Sequence, residues 1–185
     1  MIRAIFVDLD GTLAYTAEAN WQAYCAALTE AGVLISRSLF EARIQGRNWR
    51  QFLPEILSEY GSKADPARIA SKKATYYVDN LQRIRLNAAL IALLRDAPPS
   101  WKRALVTSAS KASVIPLLEA HSITTLFDTI VTGDDVKEHK PSPEPYQLAA
   151  KLLSITPDEC LVFEDSEVGI ASARSFGGHV VCVSL

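Results

Sequence analysis

What this 185-residue chain has least of narrows its chemistry first. It carries three cysteines, Cys25, Cys160 and Cys182, odd in number, widely scattered and without a Cys-x-x-Cys pair. That excludes a disulfide framework and a zinc site of the usual spacing, and it fits small buried thiols kept reduced in a cytoplasm. No basic run is longer than Lys72-Lys73 and the formal net charge is -2, so no nucleic-acid footprint is expected. No uncharged apolar stretch approaches the roughly 18 residues of a membrane span, so no membrane partner is expected either. The apolar start is short, is broken by Asp8 and lacks a small-residue cleavage site, so no signal peptide is expected. There is no GxGxxG, no Walker A sequence, no GxSxG and no HExxH. Dinucleotide, P-loop and serine-esterase chemistry drop out with the first three. His121, His139 and His179 have no ligand spacing and read as structural or solvated, with His139 beside Lys140 as the one candidate to line a crevice.

What is present is an ordinary globular composition, 49% hydrophobic and 22% charged, in a chain long enough for one well-cored domain or a core with a small insertion. Five short segments rich in apolar and β-branched residues stand out, at 3–8, 103–108, 129–133, 160–165 and 180–185. Most are continuously apolar, as strands covered on both faces are in a parallel sheet. Helical patterns separate the last four, at 113–120, at 144–153 with Ser142 as N-cap and Pro143 at the first helical position, and at 167–176 between Ser166 and Gly177. Alternation of this kind predicts βαβ units. The interval between the first two strands breaks the rhythm. Patterns at 17–31, 38–45, 49–60 and 66–84 are all helical, and Ser38 to Glu41 fits a capping box. This interval is too long for a simple crossover, so it is expected to form a helical subdomain over the end of the sheet, with a further helix at 87–97 returning to the core.

Each core strand is followed by a residue with chemical potential. The first ends in Asp8-Leu9-Asp10-Gly11-Thr12, the second in Val106-Thr107-Ser108, the third leads to Lys140, and the fourth ends in Glu164-Asp165. Residues two apart on a strand point the same way, so Asp8 and Asp10 concentrate negative charge at one spot. In an open parallel sheet these positions converge beyond the carboxyl ends of the strands. Four acids in one crevice call for a divalent cation, and hard oxygen ligands suit Mg²⁺. Beside such a cation an aspartate can attack phosphorus to form an aspartyl-phosphate, and an acid two residues on can carry the proton. A hydroxyl and an ammonium then supply the positioning and charge stabilisation that phosphoryl transfer needs.

The stretches "DLDGTL", "LVTSAS", "KPSPEPY" and "FEDSEVGI", in this order, resemble the four motifs of the haloacid dehalogenase-like superfamily. The helical insertion resembles its helical C1 cap, and the branch to which the chain is most similar holds phosphoglycolate-phosphatase-like and β-phosphoglucomutase-like enzymes. The resemblance implies an α/β fold, a Rossmannoid parallel sheet core at 1–14 and 85–185 with an inserted all-helical cap subdomain at 15–84. It implies Asp8 as nucleophile and Asp10 as general acid and base. Thr107 and Lys140 would hold the transferring phosphoryl group, with the amide of Ser108 ranked below them. Asp8, the backbone carbonyl of Asp10, Glu164 and Asp165 would hold Mg²⁺. Two departures stand out. Tyr15 occupies the position where members of this branch commonly carry an acid, and the chain stops on its fifth strand where they continue. A bare edge strand favours association, so a monomer or a homodimer is expected.

The expected function is a cytoplasmic, Mg²⁺-dependent phosphatase of a small phosphorylated metabolite. The alternatives are a phosphomutase sharing every core residue and a noncatalytic phosphate-binding protein. Basic residues of the insertion separate the first two, because a mutase grips the far end of a bisphosphate; Arg43, Arg47 and Arg50 are the candidates. Asn48 shares their segment as a possible lid contact, against the simpler reading of a solvated turn, and Trp21, Trp49 and Trp101 read as core residues.

Overall fold

The computed structural model describes residues 1–184, so Leu185, the end of the last expected strand, lies outside them. Its frame is a parallel sheet of β1 (Ala4–Val7), β2 (Lys102–Val106), β3 (Thr129–Val131), β4 (Cys160–Glu164) and β5 (His179–Cys182), in the order β3-β2-β1-β4-β5. Between β1 and β2 come α1 (Ala17–Thr29), α2 (Arg37–Arg43), α3 (Trp49–Glu59), α4 (Pro66–Val78) and α5 (Ala88–Asp96). Then α6 (Lys111–Ala120), α7 (Glu144–Leu153) and α8 (Glu167–Phe176) link the remaining strands in turn. Among the described residues no helix is long and apolar enough to cross a membrane.

The apolar runs have their reason in this arrangement. Alternation along β1 sends Ile5 and Val7 to one face, where they meet Leu90 and Leu94 of α5 and Val114 and Leu117 of α6. Ala4 and Phe6 go to the other face, against Tyr146 and Ala149 of α7 and Ala173 and Phe176 of α8. From β1 the sheet grows toward β2 on one side and β4 on the other. The carboxyl end of β1 is therefore the switch point where such sheets bind ligands.

Helices α1 to α4 form the cap, around Leu28, Phe40, Phe52, Leu53 and Ile56. One side of it, Ala19, Ala23 and Tyr77, joins the apolar layer on the first face of the sheet. The two connections run side by side: Tyr15 N–H donates to the Arg85 carbonyl (2.9 Å) and Asn87 N–H to that of Leu13 (2.8 Å). Tyr15 also lies under the Arg85 guanidinium, 4.9 Å from its ring centre, a contact an acid there would replace with an ion pair.

Several helix ends shift by one or two residues from expectation, and three boundaries differ for identifiable reasons. Helix α2 begins one residue earlier, capped by Ser36 through the Leu39 amide (3.1 Å), and Glu41 pairs with Arg37 (2.8 Å) instead of closing a box with Ser38. Pro143, not Ser142, is the N-cap of α7, although Ser142 Oγ still accepts from the Glu144 amide at 3.3 Å. The pattern at 66–84 stops at Val78, because Asp79 and Asn80 are weak helix formers and Leu81 and Ile84 turn into the sheet layer.

Candidate active site

Asp8 is the first residue beyond β1, and its amide extends the ladder to the Phe163 carbonyl at 3.0 Å. Glu164 ends β4 and Asp165 follows it. One carboxylate oxygen from each of Asp8, Glu164 and Asp165 lies within 4.8 Å of the others. Lys140 comes in from the loop before α7, and its Nζ donates to Asp8 Oδ1 (2.7 Å), Glu164 Oε1 (2.5 Å) and the Val106 carbonyl (3.0 Å). One Asp8 oxygen is thus held by the lysine and the other stays available.

Glu164 is wholly buried, with every oxygen engaged. Besides Lys140, the Tyr146 hydroxyl donates to Oε1 (2.7 Å), while the Asp165 amide (3.2 Å) and the Ser166 hydroxyl (3.3 Å) serve Oε2. Ser166 also caps α8 by accepting from the Gly169 amide, a contact worth about 1 kcal/mol to the helix. A Cβ at Gly169 would fall 2.1 Å from the Glu164 carboxylate, so only glycine lets α8 approach this closely. Asp165 accepts from the Thr12 hydroxyl at 3.0 Å.

Burial pushes the Asp8 carboxyl well above its usual range; Lys140 opposes that, and Glu164, Asp10 and Asp165 add to it. Asp165 is raised by burial and by Glu164. Burial works against the Lys140 ammonium, yet Asp8, Tyr146 and Glu164 together hold its proton more firmly than usual. One ammonium does not balance this many carboxylates, so the site is short of positive charge. That shortfall and the all-oxygen donor set fit a hard divalent cation.

Asp10 stands apart from this cluster: its Oδ1 accepts from the Thr16 hydroxyl and from Asn20 Nδ2 (2.9 Å), both at the start of α1. Thr107 lies just past β2, and its Oγ1 accepts from the Ala109 amide at 3.1 Å, leaving the hydroxyl proton free to donate elsewhere. Asp8, Asp10, Thr107, Ser108 and Lys140 all line one cavity, roofed by the cap residues Tyr24, Phe40, Arg47, Trp49 and Lys73. The cavity thus gathers five of the seven expected site residues, and Glu164 and Asp165 adjoin it through the contacts above.

Four features of the cap and the cavity surroundings depart from expectation. Arg43 turns outward to Glu59 (2.6 Å), and Arg50 pairs with Asp134 (2.9 Å), so only Arg47 of the three arginines lines the cavity. Trp49 lines it too, whereas Trp21 packs on Phe40 and Trp101 on the sheet layer. His139 does not line the cavity, and its Nδ1 is buried without a hydrogen-bond partner among the described residues. Lys73, read in the sequence only as part of a two-lysine run, is buried in the roof with its Nζ 4.3 Å from the ring centre of Tyr77 and 5.1 Å from that of Tyr24. Burial lowers its pKa to about 8. Nothing in the local pattern around Thr16, Asn20 or Lys73 marks them, since their roles arise from contacts between separate segments. Tyr146 lies inside the "KPSPEPY" stretch and was open to discovery there.

The haloacid dehalogenase-like hydrolase model matches residues 5–183. The chain belongs to this family. Phosphoglycolate phosphatase of Nitrosospira multiformis is 31% identical over 191 residues, covering 98% of this chain and 83% of that protein. The crystal structure of CbbY from Rhodobacter sphaeroides in complex with phosphate superposes with a TM-score of 0.92 at 26% identity, over all of this hydrolase and 87% of that chain. β-Phosphoglucomutase from Clostridium difficile superposes at 0.87 with 29% identity, over all of this hydrolase and 86% of that chain. These likenesses bear out the expected family branch and the α/β core with a helical cap.

Proposed function

We infer that this hydrolase is a Mg²⁺-dependent phosphatase of a small phosphorylated metabolite, working through an aspartyl-phosphate. The observation that carries the reading is Lys140 Nζ bound between Asp8 and Glu164 at the mouth of β1, with Asp165 alongside. The free oxygen of Asp8 attacks phosphorus as the ester oxygen departs, and Asp10 gives that oxygen its proton. Asp10 then takes a proton from water, whose oxygen attacks phosphorus and frees Asp8 together with inorganic phosphate. Lys140 and the Thr107 hydroxyl hold the phosphoryl oxygens, with the Ser108 amide as a further candidate. Asp8, Asp165 and the Asp10 carbonyl are the groups suited to hold Mg²⁺, and Glu164 would join them if one of its protein donors were released. The ion would neutralise phosphoryl charge and draw Asp8 and substrate together.

The paired connections at 13–15 and 85–87 support placing the boundary of the cap at 15–84, with 1–14 and 85–185 as the core. A phosphomutase is the second reading. It is favoured by two cationic groups in the roof, Lys73 and Arg47, neither of which forms an ion pair among the described residues.

The test is hydrolysis of p-nitrophenyl phosphate with and without Mg²⁺, by the wild type and Asp8→Asn. Metal-dependent release that vanishes in Asp8→Asn is expected. Release that survives the substitution refutes the aspartyl-phosphate route. Hexose-phosphate isomerisation that depends on a bisphosphate primer, with little release of phosphate, would favour the mutase.

A further inference from the structure

Asn48 is 1% exposed, although it sits at the tip of the cap where a solvated turn is the simplest reading. Each of its polar groups is committed. Its Oδ1 accepts from the Arg50 amide (3.0 Å) and its own amide donates to Gln51 Oε1 (3.1 Å), which together cap α3. Its Nδ2 leaves the cap altogether and donates to the Ser108 carbonyl of the core at 2.8 Å. The slot it enters is tight, since a Cβ on Gly133 would lie 2.2 Å from Asn48 Nδ2 and 2.4 Å from the Ser108 oxygen. Helix capping alone requires none of this, because serine or aspartate caps as well as asparagine.

The Ser108 carbonyl and the Ala109 amide are the two ends of one rigid peptide plane. Asn48 holds the carbonyl end, and the Ala109 N–H at the other end donates to Thr107 Oγ1 at 3.1 Å. On the far side, the Ala109 carbonyl accepts from the Gly133 amide at 2.9 Å. Rotation of that plane would turn the N–H away from Thr107 and let its hydroxyl swing. We propose that Asn48 is a positioning residue that couples seating of the cap to the orientation of the Thr107 hydroxyl, through the peptide joining Ser108 and Ala109. The cap therefore completes the phosphoryl-binding turn as well as covering it. The kinetic part of this proposal rests on the phosphatase reading, while its structural part stands without it.

The probe is Asn48→Ser, which keeps a capping oxygen and loses the donor that reaches Ser108. With p-nitrophenyl phosphate and Mg²⁺, kcat/KM is expected to fall about tenfold, while Tm falls by only the few degrees that loss of one buried hydrogen bond costs and the protein stays folded at the assay temperature. In a Thr107→Val background the same substitution should cost less than about twofold, because the hydroxyl it positions is already gone. An undiminished loss in that background, or no loss in the wild type, overturns the proposal. Amide hydrogen exchange supplies the arm that is independent of activity. Exchange across 107–111 should quicken in Asn48→Ser while that of α4 is unchanged, and equal exchange at 107–111 in the two proteins overturns the proposal. Should the wild type release no phosphate, the phosphatase reading fails and hydrogen exchange alone decides the role of Asn48.

Discussion

Lys73 offers the strongest test of how the cavity trades stability for charge. Its ammonium is buried between cap and core, with one weak hydrogen bond to Ser113 Oγ (3.4 Å) and two aromatic faces for company. A pKa lowered by burial from 10.5 to about 8 means that keeping it charged in the folded state costs about 3 kcal/mol. The contacts with Tyr77 and Tyr24 return about 1–2 kcal/mol. Lys73→Met, close in length and uncharged, should therefore stabilise the fold by about 1–2 kcal/mol at pH 7. The sign of the pH dependence follows from proton counting. Between about 8 and 10.5 the unfolded chain still holds the Lys73 proton and the folded chain has released it, so the stability of the wild type rises with pH across that window. By pH 10 the wild type should have regained most of what this charge costs it at pH 7, and Lys73→Met nothing. Urea unfolding of both proteins at pH 7 and pH 10 measures this, and all other titrations cancel in the double difference. A wild-type-to-variant gap that is unchanged within about 0.5 kcal/mol between the two pH values would refute the argument. The gain in stability should come with a loss of turnover, as is usual when a strained charge lines a working cavity.

Three further perturbations follow from the same geometry. Gly11 has φ +87° and its missing Cβ would sit 2.1 Å from Asp165 Oδ2, so Gly11→Ala should lower stability by about 1–2 kcal/mol in thermal unfolding and raise the Mg²⁺ concentration needed for half-maximal rate. Thr16→Val removes one of two donors to Asp10; kcat should fall about tenfold with KM nearly unchanged, and a change confined to KM would contradict the proton-transfer role. Asp165→Asn removes a charge from the three-acid cluster, and Mg²⁺ titration of the rate should show at least about tenfold weaker activation.

The sheet was legible because its strands are covered on both faces, which makes them continuously apolar, and because strand and helix alternate. The convergence of the candidate site residues was legible for a related reason: Asp8, Thr107 and Glu164 each sit at a strand end, so the topology delivers them to one place whatever the cap does. What the pattern did not yield depends on contacts across the chain. The fate of the arginines is an example. Arg43, Arg47 and Arg50 look equivalent in sequence, yet Glu59 and Asp134 draw two of them away from the cavity. Lys73 has helical periodicity as its only local signature, and its burial arises because α4 packs between α1 and the sheet layer. The misplaced start of α2 has a smaller cause. Ser36 and Ser38 are both good caps, and the Arg37–Glu41 pair favours the earlier one.

The cap reaches the chemistry at two separate points, and the two differ in kind. At the hinge, Thr16 and Asn20 hold the carboxylate of Asp10 from the N-cap and first turn of α1, within ten positions of the acid they orient. At the tip, Asn48 crosses to a core turn sixty positions away and acts on a backbone carbonyl. A hinge contact changes little when a lid swings, because displacement grows with distance from the axis. A tip contact is made or lost outright. On the proposed mechanism, proton transfer by Asp10 is thus set up in advance, whereas the Thr107 hydroxyl is set when the cap seats. Hydrolysis needs water only after the ester oxygen has left, so tying the phosphoryl grip to the seated cap, with proton transfer already arranged, restricts the reaction to substrates that let the tip reach its slot.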